Sequence, residues 1–278
     1  MLTPEDHRRD SAGLTYVYPV VSRRAGGVSI GINLNVNNAC NWACVYCQVD
    51  NLSRGGPPPI DLARLRAEFE GFLEAAWQGD FMTRQVPPEV RRLVDVAFSG
   101  NGEPTSAAEF ADAIALVAEV MRERQLLPQV KLRLITNGSL THRPAVQRGL
   151  TTLGEAGGEI WFKLDRVGDA ACRAINGVPQ DMVKLARNLD YALARAPTWL
   201  QTCWFALDGT APDAAARADY CEFVRPFAGR VEGIHLYGLA RPSMQPQAVR
   251  LTRLPLADLE DFAGEIAKKT GVRVLVNP

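Results

Sequence analysis

The sequence has no excess of basic residues: 31 lysines and arginines balance 31 aspartates and glutamates over 278 positions. It therefore lacks the cationic balance that usually marks a nucleic-acid-binding domain. It has no apolar run near the ~18 residues that a membrane span requires. Its opening, MLTPEDHRRD, is charged from residue 5 and lacks the apolar segment of a secretory signal. The expected compartment is the cytoplasm, where thiols stay reduced. Histidine is scarce, at three, and cysteines number six. In a reducing compartment those six are ligands, reactive groups or core residues, not three disulfides. There is no internal repeat, and the one biased stretch, RGGPPP at 54–59, reads as a loop.

What is present is an ordinary globular composition, 47% hydrophobic and 22% charged. A chain this long can bury a sizeable core. The expected organisation is one domain over 1–278, with 1–15 as a flexible lead, a core over about 16–245, and a last helix and short strand within 250–278.

Apolar periodicity alternates along the chain. Strands are expected at 28–36, 93–100, 130–138, 159–165, 199–209 and 231–239. Helices are expected at 61–77, 107–125, near 143–156, near 180–195, near 212–227 and near 256–268, with a short final strand in VRVLV. Six consecutive strand–helix units predict a parallel sheet with right-handed crossovers. The fold class is α/β. A partial (β/α)6 barrel is the first choice and a doubly wound sheet the second. Several strands alternate polar with apolar residues, whereas a sheet covered on both faces reads as nearly continuous apolar. Asn33, Asn35 and Asn37 share one face of the first strand. Trp161, Lys163 and Asp165 share one face of the fourth, and His235 and Tyr237 one face of the sixth. Such polar faces predict an interior that holds something polar.

CNWACVYCQ begins at position 40, so Cys40, Cys44 and Cys47 follow the first strand as C-x3-C-x2-C. In a parallel barrel that is the functional rim. A structural zinc site needs four ligands. The remaining candidates, Cys172, Cys203, Cys221, His7, His142 and His235, are scattered. A redox pair of Cys44 and Cys47 leaves Cys40 idle. An iron–sulfur cluster normally takes four cysteines, so three leave one iron open to a ligand.

This motif, with the aromatic Tyr46 before its last cysteine, resembles that of the radical S-adenosylmethionine (radical SAM) enzymes. The resemblance implies a [4Fe–4S] cluster on Cys40, Cys44 and Cys47, with S-adenosylmethionine on the open iron. Further segments resemble the family. SGNGEPT (99–105) resembles its GGEP motif and implies that Gly100, Asn101, Gly102 and Glu103 contact the methionine end of the cofactor. The alternative for that segment is an Asn-Gly turn capped by Thr105 or Ser106. ITNGS (135–139) places Thr136 and Asn137 near the ribose, or is a plain turn. WFKLDRV (161–167) resembles a KLD segment, implying that Lys163 and Asp165 line the active site, Asp165 on ribose or substrate; an interior ion pair is the alternative. Arg241 is a candidate clamp for a carboxylate or phosphate, or a surface arginine. His235 is a candidate base or a core histidine. Cys172, Cys203 and Cys221 read as core. Loop 51–59 is a candidate cover for the cysteines.

The stretch YPVVSRRAGGVSIGINL (18–34) resembles the PVxSRRLGxSLGIN opening of Fe–S oxidoreductases related to wybutosine synthase and glycyl-radical-enzyme activases. It departs from that group at Ala25-Gly26-Gly27. The sequence shows neither a flavodoxin-like domain nor a basic tail, which weakens a tRNA-modifying reading and leaves it as the alternative among enzymes. The resemblance implies an enzyme that takes one electron from reduced flavodoxin or ferredoxin. It would cleave S-adenosylmethionine and abstract hydrogen from a small molecule, peptide or protein. An electron-transfer or zinc-binding module is the reading from another class.

Overall fold

The computed structural model describes residues 13–22, 26–77 and 79–277. His7, Arg23, Arg24, Ala25 and most of the expected flexible lead lie outside them.

One sheet of eight strands organises the molecule. Its strands are β1 (Val17–Ser22), β2 (Gly27–Ile32), β3 (Leu93–Phe98), β4 (Lys131–Thr136), β5 (Glu159–Lys163), β6 (Thr198–Cys203), β7 (Gly233–Tyr237) and β8 (Val274–Asn277). Their spatial order follows their sequence order. β1 pairs antiparallel with β2, and every other neighbour is parallel. A doubly wound sheet reverses its strand order at a switch point. This order never reverses, and the sheet curls into a half-barrel whose two edges, β1 and β8, are not paired with each other. The partial barrel is therefore the correct choice, carrying one more antiparallel strand than expected.

Among the described residues eight α-helices join the strands: α1 (Leu62–Trp77), α2 (Phe81–Gln85), α3 (Phe110–Glu123), α4 (Pro144–Glu155), α5 (Asp169–Asn176), α6 (Met182–Leu193), α7 (Ala214–Val224) and α8 (Leu256–Thr270). The outward residues of the strands meet them. Ile30, Ile32, Val96, Phe98, Leu132, Leu134, Ile160, Phe162, Leu200, Ile234 and Leu236 all belong to one buried core. Their spacing of two is the strand period, and each such side chain contributes about 1.5–3 kcal/mol by leaving water. The inward positions on the same strands carry Ser29, Asp95, Arg133, Lys163 and Gln201. Among the described residues no helix is long and apolar enough to cross a membrane.

The expected strands all end early, most by two residues, and two of them fall well short. The first strand ends at Ile32, not at residue 36. The Oδ1 of Asn33 accepts the N–H of Asn35 at 3.1 Å, an Asx turn that takes the chain off the ladder. Asn33, Asn35 and Asn37 thus belong to a loop and do not form one face of a strand. The strand expected at 199–209 ends at Cys203. Ala206–Leu207 instead pairs with Leu251–Thr252.

Candidate cofactor site

The loop after β2 is fastened by asparagines. Asn33 Oδ1 also accepts the N–H of Asn101 at 3.1 Å, and Asn101 Nδ2 donates to Asn38 Oδ1 at 2.7 Å. Asn35 Nδ2 donates to the Ala39 carbonyl at 2.9 Å. These bonds dock the segment leading to Cys40 onto the loop after β3. Gly102 makes that docking possible. A Cβ on it would lie 2.1 Å from the Ala39 carbonyl oxygen and 2.6 Å from Asn35 Nδ2, so only glycine fits. The loop at 51–59 joins from outside. Ser53–Arg54 pairs with Ala39–Cys40, the N–H of Gly55 donates to the Cys40 carbonyl at 3.1 Å, and Leu52 reaches the cavity wall.

The second half of the cysteine loop rests on the C-terminus of α5. The last carbonyls of a helix have no partner within it. Here the carbonyls of Ile175 and Asn176 accept the N–H groups of Val45 and Ala43, each at 2.9 Å. Asn176 Nδ2 also donates to Cys44 Sγ at 3.3 Å and to Asp165 Oδ2 at 2.8 Å. From the other side, the segment after β7 straps the loop down. Ser243 Oγ donates to the Val45 carbonyl at 2.7 Å, the N–H of Met244 to the Cys47 carbonyl at 2.9 Å, and Gln245 Nε2 to the Val49 carbonyl at 2.8 Å. Arg241 Nη1 donates to Gln48 Oε1 at 3.1 Å.

Cys40, Cys44 and Cys47 all face one cavity of about 560 Å³ that runs down the inside of the half-barrel. All six cysteines are free thiols. Burial pushes Cys40 up to about 11, against the N–H of Trp42, which donates to its sulfur. Burial also pushes Cys44 up to about 12, with Asp165 adding to it and Lys163 and Asn176 opposing. Among the described residues no three His, Cys, Asp or Glu side chains converge on a site for a single metal ion.

Two buried carboxylates flank the loop. Glu103 Oε1 accepts from Thr105 N at 3.2 Å, Thr105 Oγ1 at 2.5 Å and Thr136 Oγ1 at 2.6 Å; its Oε2 accepts from Asn137 N at 2.7 Å. Burial holds Glu103 above the usual carboxylate range, against these donors. Asp165 Oδ2 accepts from Tyr46 OH at 2.5 Å as well as from Asn176, and its Oδ1 accepts from Cys203 N at 2.9 Å. Lys163 Nζ lies 3.9 Å from Asp165 Oδ1 and donates to Tyr237 OH at 3.0 Å. Burial alone would depress Lys163, but Asp165, Tyr237 and Cys44 outweigh it and hold the ammonium charged.

No family model matches the chain. A UPF0026 protein of Helicobacter pylori is 29% identical over 133 residues, 48% of this chain and 37% of that protein. A UPF0026 protein of Methanocaldococcus jannaschii is 26% identical over 170 residues, 59% of this chain and 44% of that protein. The chain spans less than half the length of these curated relatives. Among solved structures, HydG, a maturase of the [FeFe]-hydrogenase, superposes with a TM-score of 0.56 at 13% identity, covering 88% of this chain and 50% of that one. The protein anSMEcpe with bound AdoMet gives 0.52 at 17% identity, over 88% and 63%. An archaeal TYW1 gives 0.50 at 14% identity, over 98% and 80%. All three are radical SAM enzymes. The chain has the radical SAM fold.

On that fold, most of the residues expected at the site line one cavity: the three cysteines, Tyr46, Gly100, Asn101, Gly102, Glu103, Asn137, Lys163 and Arg241. Thr136 and Asp165 do not. Both are buried behind the wall, Thr136 bonded to Glu103 and Asp165 to Tyr46, Asn176 and Cys203. The ion-pair reading of Lys163 and Asp165 holds, and Lys163 faces the cavity as well. His235 is a core histidine between the rings of Trp161 and Trp199, with centroids 4.5 and 4.6 Å away. Cys172 and Cys221 are buried as expected, but Cys203 also reaches the cavity.

Sequence reasoning missed Asn41, Asn176 and the floor. Asn137 Nδ2 donates to Asn41 Oδ1 at 2.8 Å, tying the cysteine loop to the loop after β4. Deeper down, Arg133 pairs with Asp95 and, at 2.6 Å, with Glu159. The available signal was a charged residue at the inward position of each strand, in LVDVAF and KLRLIT.

Proposed function

We propose that the chain is a radical SAM enzyme, with Cys40, Cys44 and Cys47 holding a [4Fe–4S] cluster and S-adenosylmethionine bound beside it in the cavity. The observation that carries this is the placement of three thiols from one short loop on the same cavity wall as residues 100–103. Fold likeness alone would not name a chemistry. The donor set fits the group: soft thiolates suit an iron–sulfur cluster, and three leave one position for another ligand.

Held by Cys40, Cys44 and Cys47, the cluster with its bound S-adenosylmethionine would supply one-electron radical chemistry, releasing methionine and taking a hydrogen atom from a substrate. The protein supplies placement and shelter from water. The backbone of Gly100, Asn101 and Gly102 forms the polar surface next to the thiols. Lys163 presents a permanent cation to the cavity, suited to a carboxylate. Thr136 and Asp165 act from behind the wall, while Glu103 and Asn137 line it with their polar groups engaged by other protein groups. Arg241 and Gln48 close the outer rim beside Cys47. The electron comes from a reduced flavodoxin or ferredoxin, and the substrate is a small molecule, peptide or protein. With every cysteine free, we place the protein in the reducing cytoplasm.

The test is anaerobic reconstitution with iron and sulfide, followed by dithionite and S-adenosylmethionine. The expected result is 5′-deoxyadenosine from the wild type and none from Cys44→Ala, which also loses the cluster. Deoxyadenosine from Cys44→Ala would overturn the proposal. A full cluster that never yields product, with any candidate substrate, would assign the chain to electron transfer.

A further inference from the structure

We infer that Asn176 is a positioning residue that sets how readily the cluster is reduced, acting through Cys44. The inference rests on the reading of Cys44 as a cluster ligand. It goes beyond that reading, because nothing in the C-x3-C-x2-C motif points to a residue 132 positions away.

Asn176 is 1% exposed and closes α5. Its backbone carbonyl accepts the N–H of Ala43, which fixes the residue against the cysteine loop. Its side-chain nitrogen has two hydrogens and two acceptors: Cys44 Sγ at 3.3 Å and Asp165 Oδ2 at 2.8 Å. Asp165 cannot swing away, because Tyr46 and the N–H of Cys203 hold it. The amide is thus aimed at sulfur by a carboxylate that is itself locked. Cys40 receives its donor from the main chain, at Trp42. Cys44 receives one from a side chain, so this bond can be removed by mutation.

A hydrogen bond to a ligating sulfur disperses negative charge. Reduction adds negative charge to the cluster, so the donor stabilises the reduced state more than the oxidised one and raises the potential. Partners of this kind, one shell out from the metal, also fix ligand orientation. A merely structural Asn176 would change stability and leave the potential where it was.

The experiment compares wild type with Asn176→Leu, which keeps the volume and removes the donor, and with Asn176→Ser. Each is reconstituted anaerobically, assayed for iron and sulfide, melted, and titrated for its midpoint potential. Where four irons are retained, the variants are expected to be about tenfold harder to reduce, a shift of about 59 mV for one electron. An unchanged potential with a full cluster overturns the inference. Should neither variant hold a cluster, reduced wild type carrying ¹⁵N only in asparagine side-chain amides is examined by ENDOR. A ¹⁵N coupling to the cluster supports the inference, and its absence overturns it. A wild type that takes up no four-iron cluster fails earlier, at the reading of the cysteines.

Discussion

The cysteine loop is gripped on two sides by buried carboxylates, and the two sides are built differently. On the first, Glu103 gathers Thr105, Thr136 and Asn137, all neutral donors, and joins the loop after β3 to the end of β4. On the second, Asp165 gathers Tyr46, Asn176 and Cys203 and faces the ammonium of Lys163. The first side is a fastener whose acceptors are filled from the protein, about as many as a carboxylate can take. The second balances a charge that the cavity displays. A buried carboxylate can therefore serve the same loop either with its acceptors filled by neutral donors or as the counter-ion of a cation that faces the cavity.

The largest effect should come from breaking the charged side. Asp165→Ala leaves the half-buried Lys163 ammonium and the donors Tyr46, Asn176 and Cys203 without their carboxylate and should cost about 3 kcal/mol, read from denaturant unfolding. Asp165→Asn should cost less, since it keeps part of the hydrogen bonding. Should Asp165→Ala cost no more than Glu103→Gln, the two sides would not differ as described. Glu103→Gln on the neutral side should cost about 1–3 kcal/mol, because an amide cannot accept from every donor that surrounds it. Gly102→Ala pushes a methyl group against the Ala39 backbone and should cost a similar ~1–3 kcal/mol. Gly229→Ala, with nothing within 4 Å, provides its neutral control.

The smallest effect, and the one that sharpens the contrast, lies at Glu68. Burial alone would raise Glu68, but the N–H groups of Tyr16 and Thr15, together with Arg64, outweigh it and leave it below the usual range. Its stabilising contribution is present above the unfolded carboxylate value and is lost as pH falls through the depressed folded value. Glu68→Gln should therefore cost about 1 kcal/mol at neutral pH and almost nothing in acid. Glu103 has the opposite sign. Its folded value is raised, so its contribution is full below the unfolded value and declines as pH rises through the raised one. The cost of each variant relative to wild type, followed across pH 3–8, should rise with pH for Glu68→Gln and fall with pH for Glu103→Gln, and parallel trends would contradict these assignments.

Much of this was legible in the sequence, for physical reasons. All six interior strands obey the two-residue period, with core residues such as Leu132 and Leu134 facing the helices and Arg133 facing inward. The C-x3-C-x2-C spacing placed three thiols at the rim. What stayed hidden depended on distance along the chain. β1 reads as the start of a motif and becomes a strand only through its pairing with β2. Helix α5 has eight residues, too few for a periodic signal, yet its end supports the cysteine loop. Asn33 and Asn35 alternated like strand residues, and only their side-chain bonds show that they end the strand. The positions of Thr136 and Asp165 behind the wall followed from their partners, which no local pattern reveals.

On the proposed reading, Cys40, Cys44 and Cys47 leave one iron open and S-adenosylmethionine fills it. The most direct measurement is the EPR spectrum of the reconstituted, dithionite-reduced protein before and after S-adenosylmethionine is added. The expected result is a four-iron signal whose g values move on addition, in the wild type and not in Cys44→Ala. A four-iron signal that stays unchanged at saturating S-adenosylmethionine would contradict it.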